Sequence, residues 1–86
     1  MKNINNPENK QEPVEVMALF TYGLNPCEPL RFKRTGQREQ TVTSLLRTKI
    51  RFLGAGAEHI FDVISGRSEY RLIFNSETLH WKLVEM

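Results

Sequence analysis

A single cysteine, Cys27, in 86 residues leaves no partner for an intrachain disulfide. The fold must therefore be held by side-chain packing, which is scarce in so short a chain. No apolar run approaches the roughly 18 residues that cross a bilayer as a helix, and the N-terminus lacks the basic-then-apolar plan of a signal peptide. A membrane is thus not an expected partner, and the cytoplasm is the default location. Soft metal ligands amount to Cys27, His59 and His80, without the paired spacing of a zinc site. No metal and no other cofactor is expected. His59 and Asp62 stand three apart, as do His80 and Glu77, a separation that puts each pair on opposite faces of a strand. Gly54-Ala55-Gly56 lacks the third glycine and the following helix of a phosphate-cradling loop. No catalytic signature is left, and the chain reads as a non-enzymatic domain.

What is present is the balance of one small globular domain, 40% hydrophobic and 26% charged. The net charge of only +2 conceals an uneven distribution. Residues 30–51 hold Arg31, Lys33, Arg34, Arg38, Arg47, Lys49 and Arg51 against Glu39 alone, while the segments on either side are mildly acidic. A basic middle of this kind sets up a local positive field suited to phosphate.

Residues 1–13 are rich in Asn, Lys, Glu and Gln and offer little apolar surface to offset ordering, which predicts a flexible tail. From Val14 the period becomes two. Val14, Val16, Ala18, Phe20 and Tyr22 share one parity, which predicts a strand closed by Gly23 and the proline-bearing stretch 25–29. Leu30 and Phe32 alternate with Arg31 and Lys33 as a second strand ending in the Thr35-Gly36-Gln37 turn. The stretch Glu39 to Leu53 also satisfies helical spacing through Val42, Leu45, Leu46, Ile50 and Leu53. Its β-branched content favours a long strand, bulged near Leu45 and Leu46, with Val42, Leu46, Ile50 and Phe52 on one side. Residues 58–64, 69–74 and 79–84 alternate in the same way between short turns and form a three-strand meander. The expected fold is all-β: a small antiparallel barrel or curled meander of five to six strands over residues 14–86, with the N-terminal tail outside it.

Arg47, Lys49 and Arg51 fall on alternate residues, so a strand projects all three from one face, and Arg31 and Lys33 repeat the device on the preceding strand. If those strands pair, five cations line one patch fit for single-stranded nucleic acid, with Tyr22 the freest aromatic for base stacking. The same pattern also suits a solvated face, or charges that keep strand edges from aggregating. A second apolar set, Met17, Leu19, Ile60, Ile64, Ile73 and Val84, opposes the main core parity. It forms either a secondary core or a contact surface for another protein or a second copy, so a protein-interaction or homodimerisation module is the alternative to nucleic-acid binding.

Between Leu30 and Met86 the chain carries Leu30-Arg31-Phe32-Lys33-Arg34, a glycine-containing turn, Val42 to Leu46, Phe61 with Val63, the Gly66 turn, Tyr70-Arg71-Leu72 and Trp81-Lys82-Leu83. In these features it resembles a family of short all-β bacterial domains of unknown function. These are mostly core and turn positions, so the resemblance implies an all-β fold. Some members are associated with DNA-repair polymerase genes, which implies a nucleic-acid setting for the basic segment. The chain departs from the family pattern at Thr35-Gly36-Gln37-Arg38, and no catalytic residue is implied.

Overall fold

Alternating apolar and polar side chains become strands in the computed structural model, which describes residues 10–20 and 27–86. Most of the expected tail, residues 1–9, lies outside the described residues, as do Tyr22, Gly23 and the first part of the proline-bearing loop. The strands are β1 Glu12–Phe20, β2 Cys27–Arg34, β3 Glu39–Thr41, β4 Ser44–Phe52, β5 Ala57–Ser65, β6 Ser68–Asn75 and β7 His80–Glu85. All neighbours are antiparallel, in the order β3-β2-β1-β7-β6-β5-β4. The fold is all-β, a seven-stranded sheet that curls into a half-barrel.

Seven strands appear where five to six were expected because the long strand from Glu39 is interrupted at Val42 and Thr43. The Val42 N–H donates to the Leu30 carbonyl on β2 at 2.9 Å, and the next N–H, that of Thr43, donates to the Ile64 carbonyl on β5 at 2.8 Å. One continuous stretch thus touches both margins of the sheet and draws them together. The helical alternative for this region is excluded. The expected bulge is present as a register shift between Leu45 and Arg47.

Two boundaries differ from the expectation. Glu12 and Pro13 belong to β1, where they pair with Leu83 and Lys82; proline is tolerated at this outer end of the strand. Cys27 to Pro29 belong to β2 rather than to a loop, paired with Phe20 to Ala18. The register of this pair slips between Met17 and Ala18, which leaves Leu30 as the extra residue and half-exposed rather than buried beside Phe32.

The concave face holds the core. Phe32, Phe61, Val63, Tyr70, Leu72, Phe74 and Leu83 are buried there, with Val14, Val16, Ala18, Val42 and Trp81 packed against them. Phe32 meets the Tyr70 ring edge-on at 5.2 Å, and Phe74 lies 4.9 Å from Trp81. Near Tyr70 the interior closes with charge. Arg34 pairs with Glu12 at 2.6 Å and Glu85 at 3.6 Å, and its guanidinium carbon sits 5.9 Å from the Tyr70 ring centroid.

Tight turns set the meander. Gly66, at φ +64°, is the first central residue of the two-residue loop joining Ser65 to Ser68, a conformation that suits a residue without Cβ. The Asn75 side chain accepts the N–H groups of Glu77 and Thr78 at 2.8 and 3.1 Å. That turn places Leu79 at φ +64° and exposes it, so the last strand starts at His80 rather than at Leu79.

Candidate functional site

Among the described residues, β4 ends the sheet and pairs only with β5. The Leu53 N–H donates to the Gly56 carbonyl at 2.8 Å, which fixes the phase of the hairpin. Main-chain groups alternate in direction along an antiparallel strand. Counting back from Leu53, the N–H and C=O groups of Arg51, Lys49 and Arg47 point toward β5. Those of Phe52, Ile50 and Thr48 point off the edge.

The side chains alternate too. Thr48, Ile50 and Phe52 oppose Phe61, His59 and Ala57 and so share the core face, while Arg47, Lys49 and Arg51 oppose Asp62, Ile60 and Glu58 on the convex face. The expected parity of the three cations therefore holds. Burial does not follow parity at the edge: Phe52 is 81% exposed, and Leu45 and Leu46 are exposed as well. With no strand beyond β4 among the described residues, a side chain on its core face has a neighbouring strand on one side only. Phe20, at the end of β1, is likewise 55% exposed although its ring touches Phe74 at 5.7 Å.

The expected single patch of five cations is not formed by strand pairing. β2 pairs with β3 rather than with β4, so Arg31 opposes Thr41 and Lys33 opposes Glu39. Arg31 has Glu39 at 3.5 Å. Together with Lys33, Glu15, Met17 and Glu39 it lines a hollow of about 210 Å³, a surface of mixed charge.

On β4 the cations differ from one another. The Arg47 Nε–H donates to Asp62 Oδ2 at 3.0 Å, and its Nη2 is 3.6 Å from Glu69. On the other side of Asp62, Arg71 donates from Nε to Oδ1 at 2.7 Å and from Nη2 to Oδ2 at 3.2 Å. Arg47, Asp62 and Arg71 thus form a row of cation, anion and cation across three strands, under which Asp62 is only 3% exposed. Hydrogen bonds from Arg71, and then from Arg47, hold the Asp62 carboxyl below the ordinary carboxylate range against the opposing effect of burial. Arg51 is 3.8 Å from Glu58, and Lys49 has no carboxylate within 4.0 Å among the described residues. All three cations lie on an exposed strand.

The second apolar set lies on the convex face as its parity requires. Met17 and Leu19 are exposed on β1, whereas Ile73 and Val84 are buried. Ile73 sits beside Ile60 and Lys82, in a hollow lined also by Glu58, Asn75, Thr78 and His80. Two features escaped the sequence reading, the carboxylate of Asp62 between its arginines and the Arg34–Glu12–Glu85 cluster. Arg34 was signalled, since it shares the parity of Phe32. Asp62 was not, because its role depends on which strands flank β5.

Compared with known proteins, the chain matches no family model, no curated protein and no solved structure.

Proposed function

We propose that the protein is a binding module that accepts an extended segment of another protein along the free edge of β4. The observation that carries the reading is a nine-residue strand with one edge that has no partner strand among the described residues, its Thr48, Ile50 and Phe52 main chain directed outward, with exposed Leu45, Leu46 and Phe52 beside it. Strand addition draws affinity from main-chain hydrogen bonds and specificity from alternate side chains, and β4 supplies both. An edge that is merely protected against aggregation is short, or charged on its accessible faces. On β4 the charges occupy one face, and the other carries Thr48, Ile50 and Phe52 without a charge.

Selection from a displayed library of about ten-residue extended peptides tests the reading. Thr48→Pro removes an N–H that points off the edge and has no partner among the described residues, at a position where proline is tolerated. Selected peptides are expected to lose at least tenfold in affinity for this variant, whose fold is checked by circular dichroism. The reading is overturned if no peptide is selected, or if binding is indifferent to Thr48→Pro.

Single-stranded nucleic acid is the second reading, favoured by the exposed row of Arg47, Lys49 and Arg51 on one rigid strand. Arg31 and Lys33 lie on β2, which does not pair with β4, so the row on β4 is counted by itself. Three phosphate contacts predict a log–log slope of affinity against salt of about −2 for a single strand. A salt titration with a labelled oligonucleotide measures it, and no binding at low salt removes this reading.

A further inference from the structure

The edge of β4 carries information about the chemistry of its occupant, and about why that occupant is not a second copy of this chain. We infer that β4 takes a segment with carboxylates at every second position and apolar or β-branched residues between them. This inference rests on the strand-addition reading above.

The geometry follows from the phase of the β4–β5 hairpin. Because Thr48, Ile50 and Phe52 turn their main chain outward, an antiparallel newcomer exchanges hydrogen bonds with those three. Its residues opposite Arg47, Lys49 and Arg51 then occupy the non-hydrogen-bonded positions, where facing Cα atoms approach to about 4.5 Å and side chains are closest. Charge matters most at those positions.

Self-pairing in the central registers, which overlap the most of β4, fails on the same count. A two-fold axis at Lys49 sets Lys49 against its own copy and Arg47 against Arg51. An axis at Ile50 sets Lys49 against Arg51 twice. Both registers place cation against cation, and directly opposed like charges destabilise a sheet. A segment bearing carboxylates reverses the sign at each contact. The donors are available: Arg47 commits its Nε–H to Asp62 and approaches Glu69 at 3.6 Å while its side chain stays 65% exposed, and Arg51 has, among the described residues, only the 3.8 Å approach to Glu58. On the other face, Ile50, Phe52 and Leu45 meet the intervening residues and favour apolar ones there.

The probe is a labelled peptide alternating glutamate with valine and threonine, compared with its lysine counterpart and read by fluorescence anisotropy on the full chain. The glutamate peptide is expected to bind at least tenfold more tightly and to slow amide exchange at Thr48, Ile50 and Phe52. The double variant Lys49→Glu with Arg51→Glu, both exposed, is expected to reverse the preference, and Thr48→Pro to abolish binding of both peptides. Equal binding of the two peptides, lost in Thr48→Pro, overturns the charge inference and leaves the edge reading standing. Failure of both peptides, while the library yields Thr48→Pro-sensitive binders of another pattern, has the same meaning. Unchanged amides with every peptide defeat the edge reading itself. Displacement of the glutamate peptide by a single-stranded oligonucleotide that the double variant no longer binds assigns the strand to nucleic acid and overturns the inference.

Discussion

Phe32→Ala is expected to cost about 3–5 kcal/mol of stability, whereas Phe52→Ala is expected to cost less than about 1 kcal/mol. Both phenylalanines lie on alternating strands with apolar residues two positions before them, at Leu30 and Ile50. Phe32 is 1% exposed, packs edge-on against Tyr70 and is flanked by strands on both sides, β1 and β3. Its removal leaves a cavity that neighbours on two strands cannot readily fill. Phe52 stands at the end of an outermost strand with most of its ring in water. Marginal domains of this size have only about 5–15 kcal/mol in total, so the first variant is close to unfolding at ordinary temperature and the second is not. Urea denaturation of the two proteins measures the difference, and near-equal midpoints would show that the core is centred elsewhere.

The second large effect concerns Asp62. Replacement by alanine leaves the Arg71 guanidinium without its two hydrogen bonds and Arg47 without its one. Hydrogen bonds to charged groups are worth about 1.5–3 kcal/mol where they are shielded from water. The contribution of Arg47 is discounted because that side chain is largely exposed, so the expected loss is about 2–3 kcal/mol, mostly through Arg71. The pH dependence has a definite sign. The carboxyl is depressed in the folded state, so its contribution is fully present above the unfolded carboxylate value of about 4 and is lost as pH falls through the lower folded value. Thermal melts from pH 6 down to pH 2 should show the natural protein losing its advantage over Asp62→Asn across that window. A constant difference at every pH would mean that packing, not charge, is what Asp62 provides.

Period-two alternation made most strands legible, and the adjoining Leu45 and Leu46 were enough to locate a bulge. Parity also assigned the cations of β4 to the convex face. What parity does not carry is sheet order. Phe52 and Phe61 share a face, yet one is in water and the other buried, because β5 has neighbours on both sides and β4 on one. The same missing knowledge joined Arg31 and Lys33 to Arg47, Lys49 and Arg51, since the interruption at Val42 and Thr43 transfers the strand from β2 to β5. Leu79 was assigned to a strand because its alternation with Trp81 is genuine, and the Asn75 turn overrode it with three local hydrogen bonds.

The pairing of β1 with β7 through Glu12–Leu83 and Pro13–Lys82 joins residues from near the two extremes of the chain. Hairpins β4–β5, β5–β6 and β6–β7 need only short loops to close, whereas this contact must wait for nearly the whole polypeptide to be gathered. The β1–β2–β3 unit, which local hairpins assemble on its own, is therefore expected to be the last part to join the β4–β7 meander and the first to part from it. That encounter, of longer sequence separation than any of the hairpins, is the step expected to limit the rate of folding.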